Sequence, residues 1–382
     1  MDIDAAVTTG PSKPFEVRAV TLEDPRPDEI LVRIVGVGVC HTDLVFRDSG
    51  LIGSPAVLGH EGSGIVERTG KDVRKVAPGD RVAITFRSCG QCRRCKDGDP
   101  AYCATMPYLN YIGARPDGSK AISLDGQAIG SNFFGQSSFA TYALAYERNV
   151  VKVPDDIPLH LVGPLGCGVQ TGAGAIIRSL ACPAGASLLI TGGGPVGLSA
   201  VMAAKIQACA TVIVAEPHAA RRKLAMELGA THVIDPTSAG ESLSKQVRHI
   251  VPEGVDYAFD TTGVPAVQSE VLAALTTMGV FGIVGVSPPG ASMPGQVNDV
   301  VARGITLKGI IEGDSDPDVF LPELMEHYRR GRLPFDRMIT TYPFGQINEA
   351  VAAQHRGECI KVVLLMDSAG QASNGLSERG RR

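Results

Sequence analysis

What this 382-residue chain lacks narrows the field first. No apolar run reaches the length of a membrane span, and Met1–Thr9 has neither the basic start nor the apolar core of a secretory leader. A membrane partner is therefore excluded, and the cytoplasm is the expected compartment. Positive charge is not in excess: 36 Lys and Arg against 40 Asp and Glu give a formal net charge of −4. Without a broad basic field, nucleic acid is excluded as a main partner. Aromatic residues are scarce, at 5% with no Trp, so each one near a candidate site must be weighed as pocket wall against ordinary core. Hydrophobic residues reach 44% beside 45 Gly and 25 Pro, which rules out a coiled coil or a disordered chain and fits a turn-rich α/β protein. The length exceeds a usual single core, so two domains are expected.

Nine cysteines are present, and in a reducing compartment they serve metals or packing. Cys89, Cys92, Cys95 and Cys103 fall within one stretch, C-G-Q-C-R-R-C-K-D-G-D-P-A-Y-C. Two-residue gaps let a turn fold successive sulfurs onto one ion, and four thiolates close a tetrahedral zinc cage that holds shape and does no chemistry. Arg87, Arg93, Arg94 and Lys96 stand where they can offset the excess negative charge. Two disulfides or free thiols are the alternatives for these four. A second set is dispersed: Cys40 in Cys40-His41-Thr42-Asp43, His60 in Gly59-His60-Glu61-Gly62, and Cys167 in Gly166-Cys167-Gly168. Each alone reads as a packed side chain. Together they form a Cys/His/Cys set that suits a zinc with its fourth position open. Cys182, Cys209 and Cys359 lie in apolar segments and read as inert buried thiols.

Residues 30–82 alternate short β-like runs with glycine and proline, as small antiparallel barrels do. Past Cys167 the rhythm becomes strand, glycine turn, helix. A buried-strand run over 186–191 leads into Gly192-Gly193-Gly194-Pro195-Val196-Gly197 and an alanine-rich helix. Glu216 follows about twenty residues on, closing a second strand over 211–215, which is the context a dinucleotide fingerprint requires. Gly192, Gly194, Pro195, Val196 and Gly197 would let backbone approach a pyrophosphate at the helix start. A carboxylate at Glu216 can accept the ribose hydroxyls of NAD and repel a 2′-phosphate. Arg221, with His218 and Arg222, keeps NADP as the alternative. Further strands over 232–234, 257–260 and 279–286 complete a doubly wound parallel Rossmann sheet ending near Ile311. Helices are predicted over 318–330 and 347–355, a last strand over 360–366, and a disordered tail from Ser368 to Arg382.

On these motifs the chain resembles the zinc-dependent medium-chain alcohol dehydrogenases over nearly its whole length. The likeness rests on Gly59-His60-Glu61 running on through Gly70 and Val73 to Gly79-Asp80-Arg81-Val82, on the four-cysteine lobe, and on the glycine fingerprint. Residues 131–139 and 163–172 look most like the aryl (benzyl) alcohol branch, which includes geraniol dehydrogenases. The resemblance implies a GroES-like β-barrel catalytic domain, residues 1–168 and 312–367, carrying the structural zinc lobe, and an NAD-binding Rossmann domain, residues 169–311. It also implies two zinc ions per chain and reversible NAD-linked oxidation of a small apolar primary alcohol to its aldehyde, of benzyl, cinnamyl or geranyl type. A homodimer or homotetramer is implied as well, with the apolar strand Val280–Val284 as a candidate interface.

The resemblance further assigns roles. Asp43 orients His60, Glu61 approaches the metal during ligand exchange, and Thr42 takes the alcohol's proton. His41 and Lys361 contact the cofactor phosphates, and Thr171 lies beside the nicotinamide. Phe133 and Phe134 match substrate-pocket positions, with Phe86 a further candidate. One position departs from the family: where many members relay the proton through a histidine, this chain has Val45. Three other readings stay open. They are a zinc dehydrogenase of aliphatic or polyol substrates, a zinc-free quinone or enone reductase on the same scaffold, and a non-enzymatic NAD-binding protein.

Overall fold

Apolar and β-branched residues from Glu29 to Val39 make an 11-residue strand, and the first half of the structure is built around it. The computed structural model describes residues 1–366 apart from Ala239; the tail expected from Ser368 onward lies outside them. The strand Glu29–Val39 pairs antiparallel with Glu61–Thr69, with Tyr142–Tyr146 and, from the far end of the chain, with Lys361–Leu365. Two register shifts in its pairing with Glu61–Thr69 bend the sheet, as bulges do. Arg81–Ile84 and Val150–Lys152 extend it on one side and Ile339–Pro343 on the other. A five-stranded sheet containing Asp2–Thr8 and Glu16–Leu22 shares its apolar core, giving a GroES-like barrel.

The second sheet has six parallel strands in the order His232–Ile234, Thr211–Ala215, Ser187–Thr191, Val255–Asp260, Leu275–Ile283, Thr306–Gly309. This is the Rossmann order, and the strand direction of winding reverses between Ser187–Thr191 and Val255–Asp260, where such sheets bind ligands. The helix Pro195–Ile206 begins with proline at its first turn and is buried from Gly197 to Ala204. A Cβ at Gly197 would lie 1.9 Å from the Gly192 carbonyl oxygen, so only glycine lets the helix start this close to the strand end.

Two sequence expectations change here. The fifth strand runs over Leu275–Ile283 rather than 279–286, and a sixth, Thr306–Gly309, lies outside it. The sixth strand is short and half-polar, so it has no apolar run to announce it. The segment 280–283 is therefore an interior strand with both sides paired, and it cannot offer a free edge to a partner. Large exposed apolar side chains nearby include Met278, Val286, Val297 and Val301, each more than 70% exposed. The helices Pro317–Arg329 and Ile347–His355 and the strand Lys361–Leu365 fall within a residue of their predicted limits. No helix among the described residues is long and apolar enough to cross a membrane.

Candidate active site

The four clustered cysteines form a lobe around the short helix Arg93–Lys96 and the 3-10 turn Pro100–Tyr102. Their sulfurs lie within 4.8 Å of one another, and all four are free thiols. Backbone amides turn toward them: Gln91 and Cys92 N donate to Cys89 Sγ at 3.4 and 3.3 Å, Cys89 N to Cys103 Sγ at 3.2 Å, and Ala104 N to Cys92 Sγ at 3.5 Å. Donors aimed at sulfur stabilise thiolates, the form a metal needs. The expected basic side chains contribute less than the sequence implied. Arg93 and Arg94 pair with Asp97 and Asp99, and Arg87 lies over the Tyr146 ring, so backbone dipoles take much of that work.

The dispersed set converges from three elements. Cys40 caps the helix His41–Ser49 at the end of Glu29–Val39, His60 immediately precedes Glu61–Thr69, and Cys167 caps the helix Gly168–Gly174. Ligand atoms of Cys40, His60, Glu61 and Cys167 lie within 4.8 Å of one another. Asp43, fully buried, accepts from Cys40 N at 2.9 Å, from Gly59 N at 3.1 Å and from His60 Nδ1 at 2.8 Å. A carboxylate can only accept, so a ring proton sits on Nδ1, and Nε2 is the atom left for a metal ion or, without one, a second proton. That Nε2 is buried and has no partner in the protein. Burial opposes a charge on the imidazole, but Asp43 and the Cys40 sulfur outweigh it and hold its pKa well above the usual value. The Cys167 thiol, donating to Cys40, brings the Cys40 sulfur well below the ordinary thiol range. An orphaned ring nitrogen, a thiolate and a second thiol in a field that favours positive charge fit a divalent zinc.

Around this cluster the remaining candidates take distinct places. The Thr42 hydroxyl lies 3.7 Å from Cys40 Sγ. Glu61 is buried, its Oε2 ion-paired with Lys361 Nζ and its Oε1 without a partner; burial raises its pKa. Lys361 is itself buried and donates to the Val39 carbonyl at 3.0 Å, one residue before Cys40. Phe134 stacks on the His60 ring at 4.4 Å and 24°, and Phe133 meets it edge-on at 5.5 Å. Phe86 belongs to the barrel core and makes no ring contact with this group among the described residues. Val45 is half-buried on the first helix, and His41 is exposed at its start.

The glycine turn opens on a cleft of about 650 Å³ lined by Gly192, Gly194, Glu216 and Arg221. The Glu216 carboxylate accepts from Gly193 N at 2.6 Å and His218 N at 2.8 Å, which fixes it at the end of its strand. Arg222 is held by Asp235 and by the Glu216 carbonyl, leaving Arg221 as the guanidinium that lines the cleft. The helix Gly168–Gly174 crosses the start of Pro195–Ile206: a Cβ at Gly172 would lie 2.0 Å from the Val196 carbonyl oxygen. Thr171 lies on this helix, one turn from Cys167.

Sequence reasoning missed three contributors. Phe46 and Tyr111 complete the aromatic group, at 4.9 Å from Phe133 and 5.4 Å from Phe134. Glu312 is buried beside Thr171 and Gln170, and burial pushes its carboxyl up to about 7. It is the first of four alternating acidic residues, Glu312, Asp314, Asp316 and Asp318, and nothing in the sequence set it apart from the other three.

A family model described as "Alcohol dehydrogenase GroES-like domain" matches residues 26–155, and a second, "Zinc-binding dehydrogenase", matches residues 195–327. The chain is 49% identical over 362 residues to a geraniol dehydrogenase of Castellaniella defragrans, covering 94% of this chain and 97% of that one. Among solved structures it is similar to an alcohol dehydrogenase zinc-binding domain protein from Burkholderia ambifaria, at a TM-score of 0.94 and 44% identity, covering 96% of this chain and 100% of that one. It is also similar to benzyl alcohol dehydrogenase from Acinetobacter calcoaceticus, at a TM-score of 0.92 and 40% identity, with the same coverages.

Proposed function

The chain belongs to the zinc-dependent alcohol dehydrogenase family, and from that premise we propose that it oxidises primary aromatic or allylic alcohols reversibly to aldehydes with NAD. In this reading Cys40, His60 and Cys167 hold a catalytic zinc, and Cys89, Cys92, Cys95 and Cys103 a structural one. When bound, the zinc supplies Lewis acidity that makes an alcohol acidic, and the nicotinamide supplies a hydride acceptor. The protein's own groups do the rest. Asp43 fixes the His60 tautomer, and two thiolates with a neutral imidazole keep the site near charge neutrality, so little of the metal's electrophilicity is lost. The Thr42 hydroxyl, beside Cys40, receives the alcohol's proton. Glu61, tethered by Lys361, is placed to approach the metal as ligands exchange. Glu216 favours a free ribose over a 2′-phosphate. A homo-oligomer belongs to the same reading, supported by the exposed Met278, Val297 and Val301.

The observation that carries the substrate class is the Phe134 ring stacked 4.4 Å from the His60 imidazole, with Phe133, Phe46 and Tyr111 behind it. A substrate held at the metal meets a flat, apolar wall, which favours planar alcohols. An initial-rate panel tests this, with benzyl, cinnamyl and geranyl alcohols against ethanol and a polyol, each with NAD and NADP. The expected kcat/KM for the planar alcohols with NAD exceeds that for ethanol by about 100-fold or more. Faster turnover of ethanol or the polyol, or a preference for NADP, would overturn the corresponding part of the proposal.

A further inference from the structure

Glu312 has no part in the chemistry derived so far, yet the fold places it with care. The turn Glu312–Asp314 passes through three successive left-handed residues, with φ of 51° at Glu312, 67° at Gly313 and 51° at Asp314. Side-chain-bearing residues rarely adopt this conformation, and here packing imposes it. The turn is pressed against the helix Gly168–Gly174 so closely that a Cβ at Gly174 would lie 2.5 Å from the Gly313 carbonyl oxygen. The result is an inward-pointing carboxylate whose Oε2 accepts from Gln170 Nε2 at 3.0 Å and from the Thr171 hydroxyl at 3.4 Å.

The helix that carries Thr171 starts at Cys167 and crosses the N-terminus of Pro195–Ile206. A dinucleotide with its pyrophosphate at that N-terminus and its reactive carbon over a metal-held alcohol must lay its nicotinamide along this helix. We propose that the Glu312 carboxylate faces the nicotinamide and discriminates between its redox states, stabilising the positively charged oxidised ring over the uncharged reduced one. This inference rests on the reading of the cleft as a nicotinamide cofactor site. Opposite charges a few ångströms apart in a partly dry cleft attract strongly enough to shift relative affinity by about 10-fold or more. The reduced ring, which carries no charge, gains nothing from the carboxylate, so NAD+ competes with NADH for the cleft more effectively than it otherwise would.

The test is direct titration of NAD+ and NADH into the zinc-loaded protein at mildly alkaline pH, comparing wild type with Glu312→Gln and Glu312→Asp. Glu312→Gln is expected to raise the Kd for NAD+ by about 10-fold relative to that for NADH, and Glu312→Asp to keep the wild-type ratio within about 3-fold. A purely structural role would weaken both nucleotides together and leave their ratio unmoved, and that result overturns the proposal. Should Glu312→Gln not fold, Glu312→Asn set against Glu312→Asp carries the same comparison, because both residues tolerate positive φ and differ only in charge. If wild type binds neither nucleotide, the cofactor reading falls and this inference with it.

Discussion

Val45 lies half-buried on the helix His41–Ser49, one turn from Thr42, where an aliphatic side chain can neither take nor give a proton. In the proposed reaction a proton taken by the Thr42 hydroxyl must therefore leave by another route, and His41, next to Thr42 and exposed at the helix start, is a titratable group within reach of solvent. Replacing Val45 by histidine supplies the missing imidazole. Alcohol oxidation by Val45→His is expected to be about 3-fold or more faster near neutral pH, with the gain fading as the medium becomes alkaline and hydroxide takes over. The check is the ratio of variant to wild-type kcat across the pH range, with nucleotide affinity measured alongside. A flat ratio at unchanged affinity would mean that proton release never limits the rate.

At the scale of elements, the cysteine lobe is a brace whose load can be named. Tyr102, on the turn between Cys95 and Cys103, donates its hydroxyl toward Asp314 Oδ1 at 2.7 Å and the Gly309 carbonyl at 3.0 Å. Asp314 ends the turn that carries Glu312, so the lobe reaches across to the edge of the active site. Because the energy of binding a closed zinc cage is folding energy, Cys95→Ala is expected to lower zinc content from two ions to one per chain. The same variant should reduce the thermal midpoint by about 5 °C or more. Metal analysis and calorimetry read the two effects. Two zincs at an unchanged midpoint would remove the lobe's structural role.

For the whole molecule, the barrel hangs on a buried ion pair. Arg115 clamps Glu29 through Nε at 2.6 Å and its second terminal nitrogen at 2.9 Å, and it also reaches Glu23 at 2.5 Å, while the Tyr146 hydroxyl adds a bond at 3.0 Å. Glu29 begins the central strand, so this clamp ties the loop around Arg115 to the barrel. Burial raises the Glu29 pKa, but Arg115 and the Arg26 amide outweigh it and hold the carboxyl below its usual 4.5. A native pKa below the unfolded one means stability that is fully present above about pH 4.5 and is lost as pH falls through the lower native value. Glu29→Gln leaves buried Arg115 with only the exposed Glu23 as countercharge and is expected to cost about 3 kcal/mol at neutral pH. It should also flatten the fall in stability below pH 4.5. Denaturation midpoints of both proteins at neutral and acid pH check this, and parallel acid losses in the two would sink it.

By itself the sequence determined whatever depends on neighbours along the chain. Four cysteines within fifteen positions come together in one lobe because short loops confine their sulfurs. Apolar runs followed by a glycine turn and an acidic strand end announced the parallel sheet and its nucleotide cleft, since backbone geometry alone demands those glycines. Residue type grouped Cys40, His60 and Cys167, and resemblance to a family then gave Thr42, Asp43 and Glu61 their roles around them. Tertiary structure decided the rest, because contacts across long separations depend on packing and leave no local pattern. Gln170 and Glu312 are 142 positions apart, and their meeting depends on a left-handed turn that only its fit against the helix Gly168–Gly174 sustains. Lys361 meets Glu61 across 300 positions, while Phe86 entered the core and Phe46 and Tyr111 joined the aromatic wall. Side-chain type set what each residue could do; which of them faces the reacting atoms was fixed by how the barrel and the Rossmann sheet close on each other.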